Sequence, residues 1–228
     1  MIKRIFIIIL ATMGFISCRQ SSIAKPETVE IENSNSGNNI QYDKDIYTQN
    51  EYRDADGKRI IIQNAYPRGG RKYTDPKGNA CAYAVFWTRI INETDNSLEL
   101  NIDFPLKSYE ISNFPGKYFN VLVSPDTMSP ENTKEIDLTA LESFIDANYD
   151  QSSSVKRTIH PNESSGFYVA MLILTEEATG MTRTELKLKG QDLIYTISRY
   201  SVTKPSTLID EIEIHCGRVN LENLVRKN

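Results

Sequence analysis

Residues 80–104 read ACAYAVFWTRIINETDNSLELNIDF, and the fold class rests on this stretch. Its second half alternates without a break. Leu98, Leu100, Ile102 and Phe104 take one parity, and Glu99, Asn101 and Asp103 take the other. Period two with one wet side is the pattern of an antiparallel strand that buries a single face. Its first half, Ala80–Asn92, is apolar on both parities, which predicts a strand in the middle of a sheet or covered on both sides. Asn92–Ser97 supplies turn residues between the two, so 80–104 is expected to form a hairpin.

The same reading extends outward. Lys58–Tyr66 carries Ile60-Ile61-Ile62, and strands are expected at Tyr118–Ser124, Val155–His160, Gly166–Thr175, Thr182–Leu188, Asp192–Ser198 and Glu211–Cys216. One helix is predicted over 138–148, because Leu138, Leu141, Phe144 and Ile145 share a helical face and Thr139-Ala-Leu-Glu142 fits a capping box. Eight or nine short strands with one helix favour an all-β antiparallel sandwich over alternating β and α units. Pro67–Asn79, with two Pro and three Gly in PRGGRKYTDPKGN, reads as a long loop or a pair of turns.

The whole chain has 228 residues, 39% hydrophobic and 25% charged, which is enough for one packed core. A net charge of −4 argues against a nucleic-acid partner. Two His and three Cys argue against a Cys/His metal module, and no cofactor motif is present.

The N-terminus begins MIKRIFIIILATMGFISC: Lys3 and Arg4, then an uncharged run to Ser17. That run is too short for a bilayer core of ~30 Å at ~1.5 Å per residue, so it reads as an export signal. Phe15-Ile16-Ser17-Cys18 resembles the lipobox of bacterial lipoproteins, with Phe15 where the family usually has Leu. The resemblance implies removal of residues 1–17 and acylation of Cys18. It also implies a membrane attachment through lipid, since each buried CH₂ contributes ~0.8 kcal/mol. Arg19, in place of an Asp that resembles an inner-membrane retention signal, points to the outer membrane, with the body facing periplasm or exterior. Losing Lys3 and Arg4 takes the net charge from −4 to −6, so the lipid rather than the protein surface would do the anchoring. Residues 18–57, rich in Ser, Asn and Glu, read as the lipidated Cys and a flexible tether, and 58–228 as the folded domain.

HPNESSGFYVAMLIL (160–174) and VFWTRIINETDNSLELNIDFP (85–105) resemble immunoglobulin-like sandwich modules of exported bacterial proteins, and the chain as a whole resembles small uncharacterised flavobacterial lipoproteins. The antibody signature of a Trp between two paired Cys is absent, because Trp87 follows Cys81 by only six residues. The resemblance implies architecture and brings no activity with it.

Three groups of residues bear on function. Cys81 and Cys216 lie on expected strands in an export setting that permits a disulfide; a bridge and two separate buried thiols are both open readings. Glu211, Glu213 and His215 share one strand face, read as a solvent face rather than a metal site. Arg68, Arg71, Lys72 and Tyr73 surround Gly69-Gly70 and form the candidate binding loop, suited to an acidic sugar, a phosphate or an envelope protein. HExxH, GxSxG, SxxK and CxxC are all missing, and Glu176-Glu177 reads as a wet turn. The expected role is therefore a non-catalytic binding or structural module of the cell envelope. The alternative is an envelope hydrolase acting on glycan or peptide, whose carboxylates would come from distant positions.

Overall fold

A computed structural model describes residues 45–111, 113–124, 138–174, 180–221 and 225–226. The signal segment 1–17, Cys18, most of the expected tether and Glu176-Glu177 lie outside the described residues. The described residues form thirteen strands and one helix in chain order: β1 Ile46–Arg53, β2 Arg59–Ala65, β3 Arg68–Thr74, β4 Ala80–Asn92, β5 Leu98–Phe104, β6 Ser108–Glu110, β7 Tyr118–Val123, α1 Leu138–Asn148, β8 Ser153–Ile159, β9 Ser164–Leu174, β10 Met181–Lys189, β11 Asp192–Tyr200, β12 Leu208–Val219 and β13 Val225–Arg226. All pairings are antiparallel. The larger sheet runs β13-β1-β2-β4-β9-β7-β6 with β3 also on β4, and the smaller runs β10-β11-β12-β5-β8.

The 80–104 stretch forms both expected strands but not the expected hairpin. β4 pairs with β2, β3 and β9 in the larger sheet, whereas β5 pairs with β12 and β8 in the smaller one. The turn 92–97 carries the chain from one sheet to the other. Asn92, fully buried, holds this corner with all four of its hydrogen-bonding positions. Its Nδ2 donates to the carbonyls of Asn96 (2.8 Å) and Ile159 (2.9 Å), and its Oδ1 accepts from the Thr94 amide and hydroxyl.

β4 is buried on both faces, as its apolar parities predict. Phe86 and Ile90 enter the main core, which takes Tyr52, Ile60, Ile62, Val121 and Val169 from the larger sheet and Leu100, Ile102, Leu186, Tyr195, Ile214 and Cys216 from the smaller. On the opposite face Tyr83 and Val85 pack with Leu122, Ala170 and Leu172 under α1, which contributes Leu141 and Ile145. The helix occupies the expected span. Thr139 lies inside its first turn rather than ahead of it, so it does not serve as the cap of a box.

Two further segments differ from expectation. The folded body begins before residue 58: β1 lies within the stretch read as tether. Its inward residues, Asn50 and Tyr52, are polar or amphipathic, so no apolar period announces it. Pro67–Asn79 is neither one long loop nor a pair of turns. Arg68–Thr74 pairs with the first half of β4, with a bulge between Gly69 and Arg71, and only the turn at 75–79 is loop. Gly69 and Gly70 both have positive φ, and a Cβ on Gly69 would sit 2.8 Å from the Tyr83 carbonyl oxygen, so this bulge requires glycine.

Candidate functional site

The two sheets are closed against each other along one seam and part along another. Where they are closed, side chains of the larger sheet occupy the free edge of β10. Asn64, only 1% exposed, accepts from the Leu186 amide (2.8 Å) and donates to the Leu186 carbonyl (3.2 Å), in the manner of a neighbouring strand. Its remaining positions are filled by the Thr48 and Thr88 hydroxyls (3.1 Å each). The Tyr52 hydroxyl accepts from the Leu188 amide (2.8 Å), and Asn50 Nδ2 donates to Glu185 (2.7 Å).

β2 ends at Ala65, and there the larger sheet has no further residue to offer β10. Beyond that point, between β3, β4, β7 and β9 on one side and the starts of β10 and the end of β11 on the other, lies a cavity of about 310 Å³. Ala82, Ala84, Phe119, Met171 and Ile173 give it an apolar floor. Arg183 and Arg199 form part of its wall, and Pro67, Gly69 and Gly180 its rim. Its volume is at the small end of the ~300–1,000 Å³ usual for small-molecule sites.

Arg199 is 4% exposed, stacks over Phe114 (5.4 Å) and lies opposite Asp210 in the β11–β12 ladder. Arg183 is stacked against Tyr66 (5.1 Å) and Tyr47 (5.8 Å), and its Nη1 donates to the Thr182 carbonyl (2.8 Å). Among the described residues it makes no ion pair. Tyr47, Tyr66 and Tyr200 line a shelf of about 250 Å³ on its far side, so Arg183 stands between shelf and cavity. Burial and the neighbouring Tyr200 hydroxyl push the Tyr47 phenol up to about 12, which keeps it neutral around Arg183.

The four residues of the expected binding loop are not gathered into one site. Arg68 pairs with Asp45 (2.7 Å), and the Tyr73 hydroxyl is hydrogen-bonded to Asp146 of α1. Arg71 and Lys72 are exposed on β3. Only the glycines between them reach the cavity. Arg199 could have been found from sequence, since it is a charge on the parity of the buried Leu193, Tyr195 and Ile197. Arg183 carries no such signal, because it shares its parity with Glu185 and Lys187.

Cys81 and Cys216 are both free and buried. Cys216 belongs to the core between the sheets, while Cys81 shares the parity of Tyr83 on the α1 side of β4, so the larger sheet separates them and no bridge joins them. Burial pushes both thiols up, Cys216 to about 12, which makes them poor nucleophiles. Glu211, Glu213 and His215 are exposed and taken up singly: Ser198 donates to Glu211, Lys187 pairs with Glu213, and His215 lies 3.4 Å from Asp192. Among the described residues no cluster of His, Cys, Asp or Glu has the arrangement of a metal site.

What the geometry defines is an all-β protein of two antiparallel sheets with an apolar, arginine-walled cavity where they part. No family model, no curated protein and no solved structure matches the chain.

Proposed function

We propose that the protein is a lipid-anchored binding module of the bacterial outer membrane, and that the cavity beside Arg183 is where it binds. The observation that carries the binding role is a cation with no ion-pair partner among the described residues, fixed by two tyrosines at the mouth of an apolar cavity. A buried or half-buried guanidinium is costly to desolvate, and an anion that pairs with it recovers that cost. The two sheets sharing one core, with β4 and β5 consecutive in sequence but in different sheets, support an immunoglobulin-like sandwich as the finer description of the fold. The anchoring reading rests on the Lys3–Arg4 start, the uncharged run and Cys18. In this reading Cys18 carries the acyl chains and the partner is an envelope ligand.

Two experiments test it. Cells expressing the full chain and fed a labelled fatty acid should incorporate the label in wild type and not in Cys18→Ala; labelling that survives the substitution contradicts the anchor. A panel of small anions screened by thermal shift against the full chain and Arg183→Ala should contain ligands that raise the melting temperature of the wild type only. Turnover of a glycan or peptide substrate, abolished by one acidic substitution, would instead establish the hydrolase.

A further inference from the structure

The chemistry of the cavity narrows the ligand, given the binding role proposed above. A sugar needs several polar side chains placed to match its hydroxyls. Here the floor is Ala82, Ala84, Phe119, Met171 and Ile173, and Thr182 is the one hydroxyl-bearing aliphatic side chain on the lining. An all-polar anion would leave that floor wet or empty. A purely apolar ligand would leave Arg183 without an anion.

We propose that the site takes an amphipathic monoanion, a medium-chain carboxylate, with its tail on the apolar floor and its carboxylate on Arg183. The guanidinium presents a planar fork that matches a carboxylate with two parallel N–H···O bonds. Stacking on Tyr47 and Tyr66, and the bond to the Thr182 carbonyl, restrict its rotamers before any ligand arrives. The acid nearest in sequence on the same strand, Glu185, is already hydrogen-bonded to Asn50. The Tyr47 hydroxyl, pushed up by burial, remains neutral and adds no repulsion. Arg199 faces Asp210 across its own ladder and serves as wall rather than as the primary anion holder. The modest cavity volume sets a limit on tail length, so affinity should rise with each methylene and then stop.

Calorimetric titration of the full chain with hexanoate, octanoate, decanoate and dodecanoate tests this, with decanol and a glucuronate oligosaccharide as controls. Affinity is expected to rise about three- to fourfold per added CH₂ and to level off once the floor is covered. Decanol should bind at least tenfold more weakly than decanoate. Arg183→Ala should remove that preference for the acid, and Arg183→Lys should restore part of it. Ala84→Phe, which fills the floor, should abolish decanoate binding with Arg183 still in place. Equal affinity for decanol and decanoate would overturn the carboxylate, and no dependence on chain length would overturn the apolar floor. Binding of the oligosaccharide, lost in Arg183→Ala and unaccompanied by decanoate binding, would sink this ligand class while leaving the site standing. No binding by any of the probes, with wild type and Ala84→Phe alike, would sink both.

Discussion

The two halves of β10 meet the same problem with opposite answers. At 185–188 the strand lies at the edge of its sheet, yet the Leu186 amide and carbonyl and the Leu188 amide are satisfied by Asn64 and Tyr52 of the other sheet. At 181–183, where β2 has already ended, no side chain of the larger sheet plays that part among the described residues, and the strand borders a cavity with Arg183 in its wall. An unpaired edge is a hazard for a β protein. In this fold polar side chains close part of it, and the part they leave open borders the cavity. The difference teaches that cavity and seam are set by one event, the turning-away of the chain at Ala65–Pro67.

The largest break in this comparison comes from Asn64→Ala. It orphans the Leu186 amide and carbonyl and empties a buried position, so a loss of about 2–5 kcal/mol is expected in denaturant unfolding. A loss within 0.5 kcal/mol would mean that the seam carries little.

The turn between β3 and β4 has its own brace, tied to Tyr149 just after α1, and acid should expose it. Burial alone would raise the Asp75 carboxyl. The bonds it accepts from the Asn79 side chain, the Tyr149 hydroxyl and the Asn79 and Lys77 amides outweigh burial and bring it to about 2. A carboxyl depressed below its unfolded value of ~3.9 contributes stability that is complete above that pH and is lost as pH falls toward 2. Unfolding across pH 2–5 should show a loss of about 2 kcal/mol from this group. Asp75→Asn should flatten that slope; an unchanged slope refutes the assignment.

Tyr52→Phe removes the single acceptor of the Leu188 amide and should cost about 1–2 kcal/mol by the same unfolding measurement. Arg183→Ala sharpens the contrast from the other side: stability should change by less than about 0.5 kcal/mol, because a residue kept for a ligand rather than for the fold holds little together. A large destabilisation would assign Arg183 to structure.

Local pattern carried the strands and the helix and did not carry their partners. Leu98–Phe104 alternates so regularly that its strand was unmistakable. Alternation records which side chains are buried, however, and not which sheet covers them, so the crossing at Asn92–Ser97 was invisible. β1 escaped notice because its seam residues, Asn50 and Tyr52, are polar groups that find partners only in the folded state. β3 was hidden by Gly69-Gly70, which read as turn residues and form a bulge. The cavity drew residues from β3, β4, β7, β9, β10 and β11, and no linear spacing joins Ala84 to Met171 or Arg183. Gly69-Gly70 alone linked the sequence-based candidate to the observed cavity.

The most direct test is a titration of the isotope-labelled full chain with decanoate, followed by backbone amide shifts. The account predicts changes concentrated at Gly69, Ala84, Met171 and 180–183, with the Leu186 and Leu188 amides unmoved under their side-chain clamps. Shifts centred on the α1 face, or a seam that moves as much as the cavity, would contradict it.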